Sequence, residues 1–298
     1  MKVLVIIISY NFGQWMERCL GSLRQSEHPA NVLVIDNASK DQTTEQIRAN
    51  YPEVRLIENH TNLGFGRANN IGMQIALHEG YDFVFLMNQD AWIAPDVIGR
   101  LVTLSLQHPE YGLLSPVHLT GKGDTTDPGF GHYAQVQSLD QLRDEEILPL
   151  PFVNAAFWMI PVSVLKRVGG FSPLFYHYGE DKDFANRLHY HHFQIGYSPQ
   201  VFGCHDREYR PMTHEGFLRT EYVYHLSEYA NINHRWLQAF GYGVLATLKK
   251  ASTALLKGKF RLCKAYLGMT VHLLSQSQNV NRHRKTNRLS HPHYIQCP

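Results

Sequence analysis

The chain has 298 residues, 44% of them hydrophobic, with a formal net charge of +2 at pH 7. This length can bury a sizeable core and fits one large domain with an appendage, while the mild charge gives no support to a nucleic-acid partner. The four cysteines form no CxxC pair, so they indicate neither a disulfide framework nor a zinc module, and a reducing compartment fits. No stretch approaches the ~18 consecutive apolar residues of a spanning helix.

Short apolar runs alternate with segments of helical periodicity through the first ninety residues. The pattern predicts strands at 3–9, 31–35, 53–57 and 83–87, and helices at 15–23 and 42–50 with a third ending at His78. The run at 3–8 is shorter than the apolar part of a secretory signal, and a strand explains it better. This order of elements is typical of a doubly wound parallel sheet buried on both faces.

Polar side chains follow three of these predicted strands. They are Tyr10 and Asn11, then Asp36 and Asn37, then the run from Asn88 to Asp90. The carboxyl ends of parallel strands share one edge of a sheet, which is where open α/β sheets bind ligands. Asn88 and Asp90 point the same way from an extended chain, and their oxygens suit Mg²⁺ or Mn²⁺ holding a diphosphate. Taken alone, this run is explained as well by an ordinary turn.

The second half of the chain begins with a helix at 95–107 and then changes character. Residues 118–150 are rich in Gly, Asp and Thr and then acidic, so we predict an active-site loop or lid there. A strand at 151–160, a helix at 162–168, a helix from Glu180 and a strand at 194–201 follow. After Glu215 every pattern is helical. We therefore expect a catalytic domain over 1–214 and a helical extension over 215–298.

The helical extension is basic, and its lysines and arginines alternate with leucines and aromatic residues. Such helices can lie on an anionic membrane surface, and they can also pair in a dimer. A solvated face of helices packed on the catalytic domain explains the pattern as well.

Glu180 and Asp181 open a predicted helix. Carboxylates in the first turn can simply compensate the helix dipole, but Asp181 can also act as a general base that accepts a proton from an attacking hydroxyl. His205 follows after one helix and one strand, which can return it to the same edge of the sheet.

An ordered set of motifs carries a family resemblance. The segments VIIISYN, VIDNASKD, NLGFGRANNIG, LMNQDAWI, FVNAAFWMI and FYHYGEDKDF resemble, in this order and spacing, a family 2 glycosyltransferase of the rhamnosyltransferase-like branch. The resemblance covers about 3–205. It implies the α/β fold called GT-A, a Rossmann-like nucleotide-binding mixed sheet flanked by helices, here with a helical C-terminal extension.

The resemblance also implies residue roles. Asp36 matches the acid that binds the nucleotide base, and Asn88-Gln89-Asp90 takes the place of the DxD motif. The implied nucleotide-sugar contacts are Ser9, Tyr10, Asn11, Asp36, Gly64, Arg67, Asn70, Asn88 and Asp90.

Four residues are implied in the remaining roles. Asp181 matches the catalytic base with Glu180 beside it, Asp90 and His205 match ligands of a Mg²⁺ or Mn²⁺ ion, and Trp158 matches an aromatic contact to the acceptor. Asn88 replaces the first Asp of DxD, which should weaken binding of the free metal.

The implied activity is an inverting transfer from a nucleotide-diphosphate sugar, dTDP-rhamnose or a UDP-sugar, to a glycan or lipid-linked glycan in surface polysaccharide synthesis. We expect a cytoplasmic protein at the inner face of the cell membrane, in peripheral contact through its basic helices, or a homodimer. An inactive carbohydrate-binding protein of the same fold and a nucleotidyltransferase are the alternatives. A nicotinamide oxidoreductase fits poorly, because Asn69 stands at the third glycine of GxGxxG.

Overall fold

Strand and helix alternate through the first ninety residues, as the apolar pattern predicts. The computed structural model describes residues 1–207 and 212–295. The first elements are β1 (Val3–Ser9), α1 (Met16–Arg24), β2 (Ala30–Asp36), α2 (Thr43–Asn50), β3 (Arg55–Glu58), α3 (Phe65–His78) and β4 (Phe83–Asn88). β1 lies parallel to both β2 and β4, and β2 lies parallel to β3. Ser9 is therefore opposite Asp36, and Ile8 is opposite Asn88, so the polar strand ends share one edge.

The following segment completes a mixed sheet. Its elements are β5 (Ala91–Ile93), α4 (Val97–Gln107), β6 (Tyr111–Thr120), α5 (Pro128–Ala134), β7 (Leu148–Leu150), β8 (Phe157–Pro161), α6 (Val162–Val168), α7 (Glu180–Tyr190) and β9 (Gln194–His205). The strand order is β3-β2-β1-β4-β8-β6-β9-β5, with β7 paired to β9. β8 runs antiparallel between β4 and β6, which makes the sheet mixed as the GT-A resemblance implies.

Three features of this half differ from the sequence prediction. Strand β6 was not predicted, because Ser115, Pro116 and His118 interrupt its apolar run, and the buried Ser115 Oγ and His118 Nε2 satisfy each other at 2.8 Å. The segment 118–150, predicted to be irregular, contains the end of β6, helix α5, a 3₁₀ turn and β7. Strand β8 begins at Phe157 rather than at residue 151, and β9 extends through His205.

Helices cover both faces of the sheet. The alternating side chains of β1 divide between two apolar clusters: Leu4 and Ile6 join one with α3, α6 and α7, while Val5 and Ile7 join the other with α1, α2 and α4. Strands that are buried on both faces can be continuously apolar. This explains the β-branched run that marked β1 in the sequence.

The C-terminal extension consists of helices. They are α8 (His214–Ala230), α9 (Trp236–Phe240), α10 (Ala246–Leu256), α11 (Phe260–Ser275) and α12 (Ser277–Asn287), with a π-helical segment (Gly241–Leu245) before α10. They pack around a third apolar cluster, which also includes Phe175. None of the helices in the described ranges has the length and apolar character that crossing a membrane requires.

The extension is joined to the sheet layer by buried contacts. His283 of α12 places Nε2 2.8 Å from Oδ1 of Asp183 in α7, and Gly170 N–H donates to the carbonyl of His293 at 2.8 Å. Cys19, Cys204 and Cys263 are free thiols, and Cys297 lies outside the described residues.

Candidate active site

The loops that follow β1 and β2 meet around Asp36. This carboxylate is buried and accepts hydrogen bonds from Ser9 Oγ at 2.9 Å, from the Ser39 N–H at 2.9 Å and from the Ser39 hydroxyl. Asn11, with a φ of 52°, accepts from the Lys40 N–H, and its own N–H donates to Ser39 Oγ. The loops after β1 and β2 are therefore locked together, with Asp36 held in a fixed position at the sheet edge.

Gly64 begins helix α3 in a conformation that other residues rarely adopt. Its φ is +78°, and a Cβ at this position would lie 2.5 Å from the carbonyl oxygen of Tyr176. Arg67 follows in the first turn and is exposed. The first N–H groups of a helix carry partial positive charge and suit an anion. The Arg67 side chain at this helix start is exposed to solvent. The start of α3 also lies beside the loop that contains Asp36, because Asn37 Nδ2 donates to the Gly64 carbonyl at 3.3 Å.

Asn70, which the sequence placed with the nucleotide contacts, is engaged elsewhere. Its amide exchanges two hydrogen bonds with the backbone of Phe171, at 2.7 and 2.8 Å. Both polar atoms of the side chain therefore hold α3 against the segment that leads to α7. Asn70 therefore supports the packing of α3, and its polar atoms are not available to a nucleotide in this structure.

The Asn88 to Asp90 run meets His205, as the sheet edge predicted. Nε2 of His205 lies 3.3 Å from Nδ2 of Asn88 and 3.4 Å from Oδ1 of Asp90. Gln89 turns the other way: its side-chain amide accepts from the Tyr10 N–H and donates to the Tyr10 carbonyl. The antiparallel pairing of β5 with β9, in which Ala91 is opposite His205, brings these distant residues together.

Asp127 supports His205 from the opposite side. It caps α5 by accepting from the N–H groups of Gly129 and Phe130 at 2.8 and 3.0 Å, and its second oxygen lies 3.9 Å from Nδ1 of His205. At this distance the two groups are close but not hydrogen-bonded, and a carboxylate near the second nitrogen of an imidazole is suited to orienting that ring once a metal is bound. The sequence analysis missed Asp127, although Asp followed by Pro is a typical helix start.

The residues at this edge can hold a divalent metal ion only in part. Across the described residues there is no group of three or more His, Cys, Asp or Glu side chains arranged to bind a metal. Two suitable side chains, Asp90 and His205, do converge, and the Asp127 carboxylate lies 3.9 Å from the other imidazole nitrogen. Mg²⁺ in particular keeps few protein ligands and completes its shell with phosphate oxygens and water. The donor set therefore fits an ion that is shared with a bound diphosphate.

Helix α7 presents two acidic side chains at its start. Gly179, with a φ of +91°, turns the chain into the helix, and the Asp181 carboxylate accepts the Lys182 N–H at 2.7 Å. Burial raises the pKa of Asp181 above its ordinary value, although this N–H, Lys182 and Arg207 oppose the rise. A raised pKa makes this carboxylate a stronger base, which is the direction that a general base requires.

Glu180 is more deeply enclosed than Asp181. It is 5% exposed, and its Oε2 has no hydrogen-bond partner within the described parts of the chain. Burial, followed by the charge of Asp181, raises the pKa of Glu180 to about 7. The side chain packs toward Gly66 of α3, where a Cβ would lie 3.6 Å from the Glu180 Cβ. Glu180 is thus a neighbour of the candidate base and does not reach the opening.

Arg207 connects α7 with the segment 118–150. Burial raises the pKa of Tyr133, the charge of Asp181 raises it further, and the Arg207 cation opposes both effects. The same cation opposes the rise in the pKa of Asp181 that burial causes. A Cβ on Gly129 would lie 3.4 Å from Nη1 of Arg207. Arg207 therefore lies close to the start of α5 and within electrostatic range of Asp181. Arg207 follows His205 by two residues but carried no motif that the sequence could identify.

Trp158, implied as an acceptor contact, has no exposed surface. Its ring stacks on Phe171, and its indole N–H donates to the Val153 carbonyl at 3.2 Å. The side chain therefore belongs to the core beneath the site, and an acceptor cannot touch it in this structure.

Comparisons with known proteins show which sequences and folds this chain is similar to. The sequence model of Glycosyl transferase family 2 matches residues 4–169. An N-acetylglucosaminyl-diphospho-decaprenol L-rhamnosyltransferase of Mycobacterium tuberculosis is 27% identical in an alignment of 219 residues. The alignment covers 62% of this chain and 69% of that protein. The low-salt glycan biosynthesis hexosyltransferase Agl10 of Haloferax volcanii is 24% identical over 185 residues, which are 60% of this chain and 59% of that protein.

Solved structures share the fold at low identity. Staphylococcus aureus TarS 1-349 in complex with UDP-GlcNAc superposes with a TM-score of 0.59 and 16% identity, over 95% of this chain and 84% of that one. GalNAc-T7 with UDP, GalNAc and Mn²⁺ gives a TM-score of 0.59 at 17% identity, over 84% of this chain and 54% of that one. Both likenesses concern the fold alone.

Proposed function

The chain belongs to glycosyl transferase family 2, and from that premise we propose that it moves a hexose from a nucleotide-diphosphate sugar to a hydroxyl of a lipid-linked glycan, with inversion at the anomeric carbon. One observation carries the proposal. Asp90 and His205 meet at the sheet edge, and Arg207, two residues after His205, is near enough to Asp181 to oppose the rise in its pKa. A place for a diphosphate and a place for a base therefore adjoin each other.

The proposed reaction is a single displacement. Asp181 accepts the proton of the acceptor hydroxyl, whose oxygen bonds to the anomeric carbon as the bond from that carbon to the diphosphate oxygen breaks. The products are a glycoside and a nucleoside diphosphate, and the proton leaves through Asp181. A single base suffices because the attacking group comes from the acceptor, unlike the paired carboxylates of glycoside hydrolysis.

The leaving diphosphate is the group that the sheet edge stabilises. A divalent ion held by Asp90 and His205, Mg²⁺ or Mn²⁺, would neutralise charge on the departing oxygens. Asp127, whose carboxylate lies 3.9 Å from the other nitrogen of His205, would orient that ring for the ion, and Arg207 supplies a further exposed cation. The nucleoside lies against Asp36, and its diphosphate lies toward the first turn of α3 near the exposed Arg67, where N–H groups favour an anion.

The relatives narrow the proposed substrates. The mycobacterial relative is named for rhamnosyl transfer to a polyprenyl-diphosphate sugar, and a Micrococcus luteus relative, 34% identical over 105 residues, is named an undecaprenyl-phosphate mannosyltransferase. We propose dTDP-rhamnose or a UDP-hexose as the sugar donor and a lipid-linked glycan as acceptor in surface polysaccharide synthesis. The protein would work at the inner membrane face, with 1–214 as the catalytic domain.

Asp181→Asn tests the catalytic assignment. We expect transfer to fall by about 10²- to 10⁴-fold, the usual contribution of a general base, while binding of the nucleotide sugar persists. Asp96→Asn, at an exposed position before α4, is the control and should leave transfer unchanged. Full transfer by Asp181→Asn would remove Asp181 from the mechanism.

Thermal stabilisation tests the nucleotide and the metal. A ligand that binds only the folded protein raises its melting temperature by mass action. We expect a shift with either dTDP or UDP that depends on Mn²⁺ or Mg²⁺ and is lost with EDTA or in Asp90→Ala. Binding of a nucleotide sugar without transfer to any acceptor would favour the inactive carbohydrate-binding alternative.

A further inference from the structure

Charge is divided sharply along this chain. From Tyr229 to the C-terminus, 11 lysine and arginine residues occur with no aspartate or glutamate, whereas the preceding 228 residues contain 17 basic and 26 acidic side chains. The near-zero net charge of the whole chain conceals a cationic helical extension on an anionic catalytic region. Such a division orients a protein in the field of a charged surface.

The turn between α10 and α11 combines cations with exposed apolar side chains. Leu256 ends α10 and is 88% exposed, and Phe260 begins α11 and is 70% exposed. Between them lie Lys257, Gly258 and Lys259, all exposed. Gly258 has a φ of +68°, which gives the sharp reversal at this turn. Two large apolar groups therefore project from the end of a hairpin together with two cations.

The apolar surface continues from the turn along α11. Leu267, Val271 and Leu274 are exposed at intervals of four and three residues, which places them on one face of the helix. Leu255 adds a further exposed leucine at the end of α10. Lys264 lies on this same face, between Phe260 and Leu267, and Arg261 lies beside it; both are exposed. A soluble surface usually avoids contiguous apolar area of this kind unless it binds something.

The turn between α10 and α11 lies beside the start of α8. An open groove of about 770 Å³ is lined by the turn and by His214 and Phe217 in the first turns of α8. Further along α8, the Val223 side chain packs against Gly179, where an added Cβ would lie 2.8 Å from Val223 Cγ1. Phe217 and Val223 are about 9 Å apart along the helix axis. One helix thus links the turn with the start of α7.

From these observations we propose that the α10–α11 turn is a membrane-docking tip, in which Leu255, Leu256 and Phe260 insert into the interface of an anionic phospholipid bilayer. Lys257, Lys259, Arg261 and Lys264 bind the lipid phosphates around them. Apolar side chains rimmed by cations are the combination that binds anionic membrane surfaces. Its use in presenting a lipid-linked acceptor to Asp181 rests on the proposed function, but the docking itself does not.

A second copy of the chain fits this surface less well than a bilayer does. A symmetric contact through the turn would bring the lysines of both copies together, with no acidic residue after Glu228 to offset them. Like charges placed against each other across an interface are unfavourable. An anionic bilayer instead attracts the extension and repels the anionic catalytic region, so it sets one orientation.

Vesicle binding by the full chain tests the proposal without sugar donor or acceptor. The probes are vesicles of equal parts phosphatidylglycerol and phosphatidylcholine, compared with vesicles of phosphatidylcholine alone, in a sedimentation assay. We expect binding to the anionic vesicles that weakens with salt. Leu256→Ser should lower the partition coefficient at least about tenfold, as loss of an inserted leucine implies. Lys257→Gln with Lys259→Gln should lower it about thirtyfold, at roughly fivefold for each cation near the surface.

Matched controls separate docking from general effects. Leu106→Ser on α4 and Lys166→Gln on α6 change exposed residues far from the turn in sequence and should bind vesicles as the parent does. All variants should retain the parent melting temperature and its shift with nucleotide, so a failure of docking is distinct from a failure of the proposed function. Equal binding by Leu256→Ser and the parent would overturn the proposal. So would a dimer in sedimentation velocity that Leu256→Ser dissociates while vesicle binding is unchanged.

Discussion

Replacement of Glu180 by glutamine should stabilise the protein only where this side chain would otherwise ionise. Glu180 is 5% exposed, and its buried Oε2 has no hydrogen-bond partner in the described chain. Burial and the neighbouring charge of Asp181 raise its pKa from the ordinary 4.5 to about 7. Because the folded state holds this proton more tightly than the unfolded state does, stability falls as the pH rises between these two values. The difference between the two pKa values corresponds to about 3 kcal/mol in the free energy of unfolding.

The expected result is therefore a pH-dependent difference between Glu180→Gln and the parent. Near pH 4.5 both side chains are neutral and similar in size, so the free energies of unfolding should be close. Above pH 7 the parent must bury a charge that the variant lacks, and the variant should be more stable by about 3 kcal/mol. Urea unfolding at a series of pH values from 4.5 to 8.5 measures the difference, provided that the m-value is unchanged.

Glu45→Gln is the matched control. Glu45 is exposed in the first turn of α2, so its replacement should change the free energy of unfolding by no more than about 0.5 kcal/mol at any pH. Parallel pH profiles for Glu180→Gln and the parent would refute the reasoning, since they would mean that Glu180 titrates alike in the folded and unfolded states.

Three further predictions concern residues around the site. Asp127→Asn should keep α5 capped but weaken metal-dependent nucleotide binding by about 10- to 100-fold, measured by titrating Mn²⁺ in the thermal assay; unchanged affinity would contradict its role beside the imidazole. Gly64→Ala should destabilise the protein by more than Gly80→Ala in urea unfolding, because both glycines have a positive φ but only Gly64 lacks space for a Cβ. Equal losses in the free energy of unfolding would contradict a steric clash at Gly64. His283→Gln should cost about 3 kcal/mol, because burial would raise the pKa of Asp183 and the His283 imidazole is one of the groups that hold it low. The loss should shrink in acid as Asp183 protonates, and a pH-independent loss would contradict the pairing.

The sequence by itself determined the catalytic half of the sheet and the place of its ligand edge. The strands β1 to β4 are predicted from local apolar runs, and their pairing follows from the handedness of strand–helix–strand connections. Asp36, Asn88 and Asp90 could then be assigned to one edge without further information. The start of α7 at Glu180 was also predictable, since glycine followed by acidic residues is a local property of the chain.

The tertiary structure alone decided which polar residues face the opening. Asn70 and Trp158 stand in motifs of the right order, yet one binds the backbone of Phe171 and the other lies in the core. Asp127 and His205 are 78 residues apart and meet only because β9 runs back beside β5 and β6. A polar side chain has the same identity whether it satisfies a buried backbone group or faces a substrate. Its partner is fixed by contacts between distant segments, which no local pattern encodes.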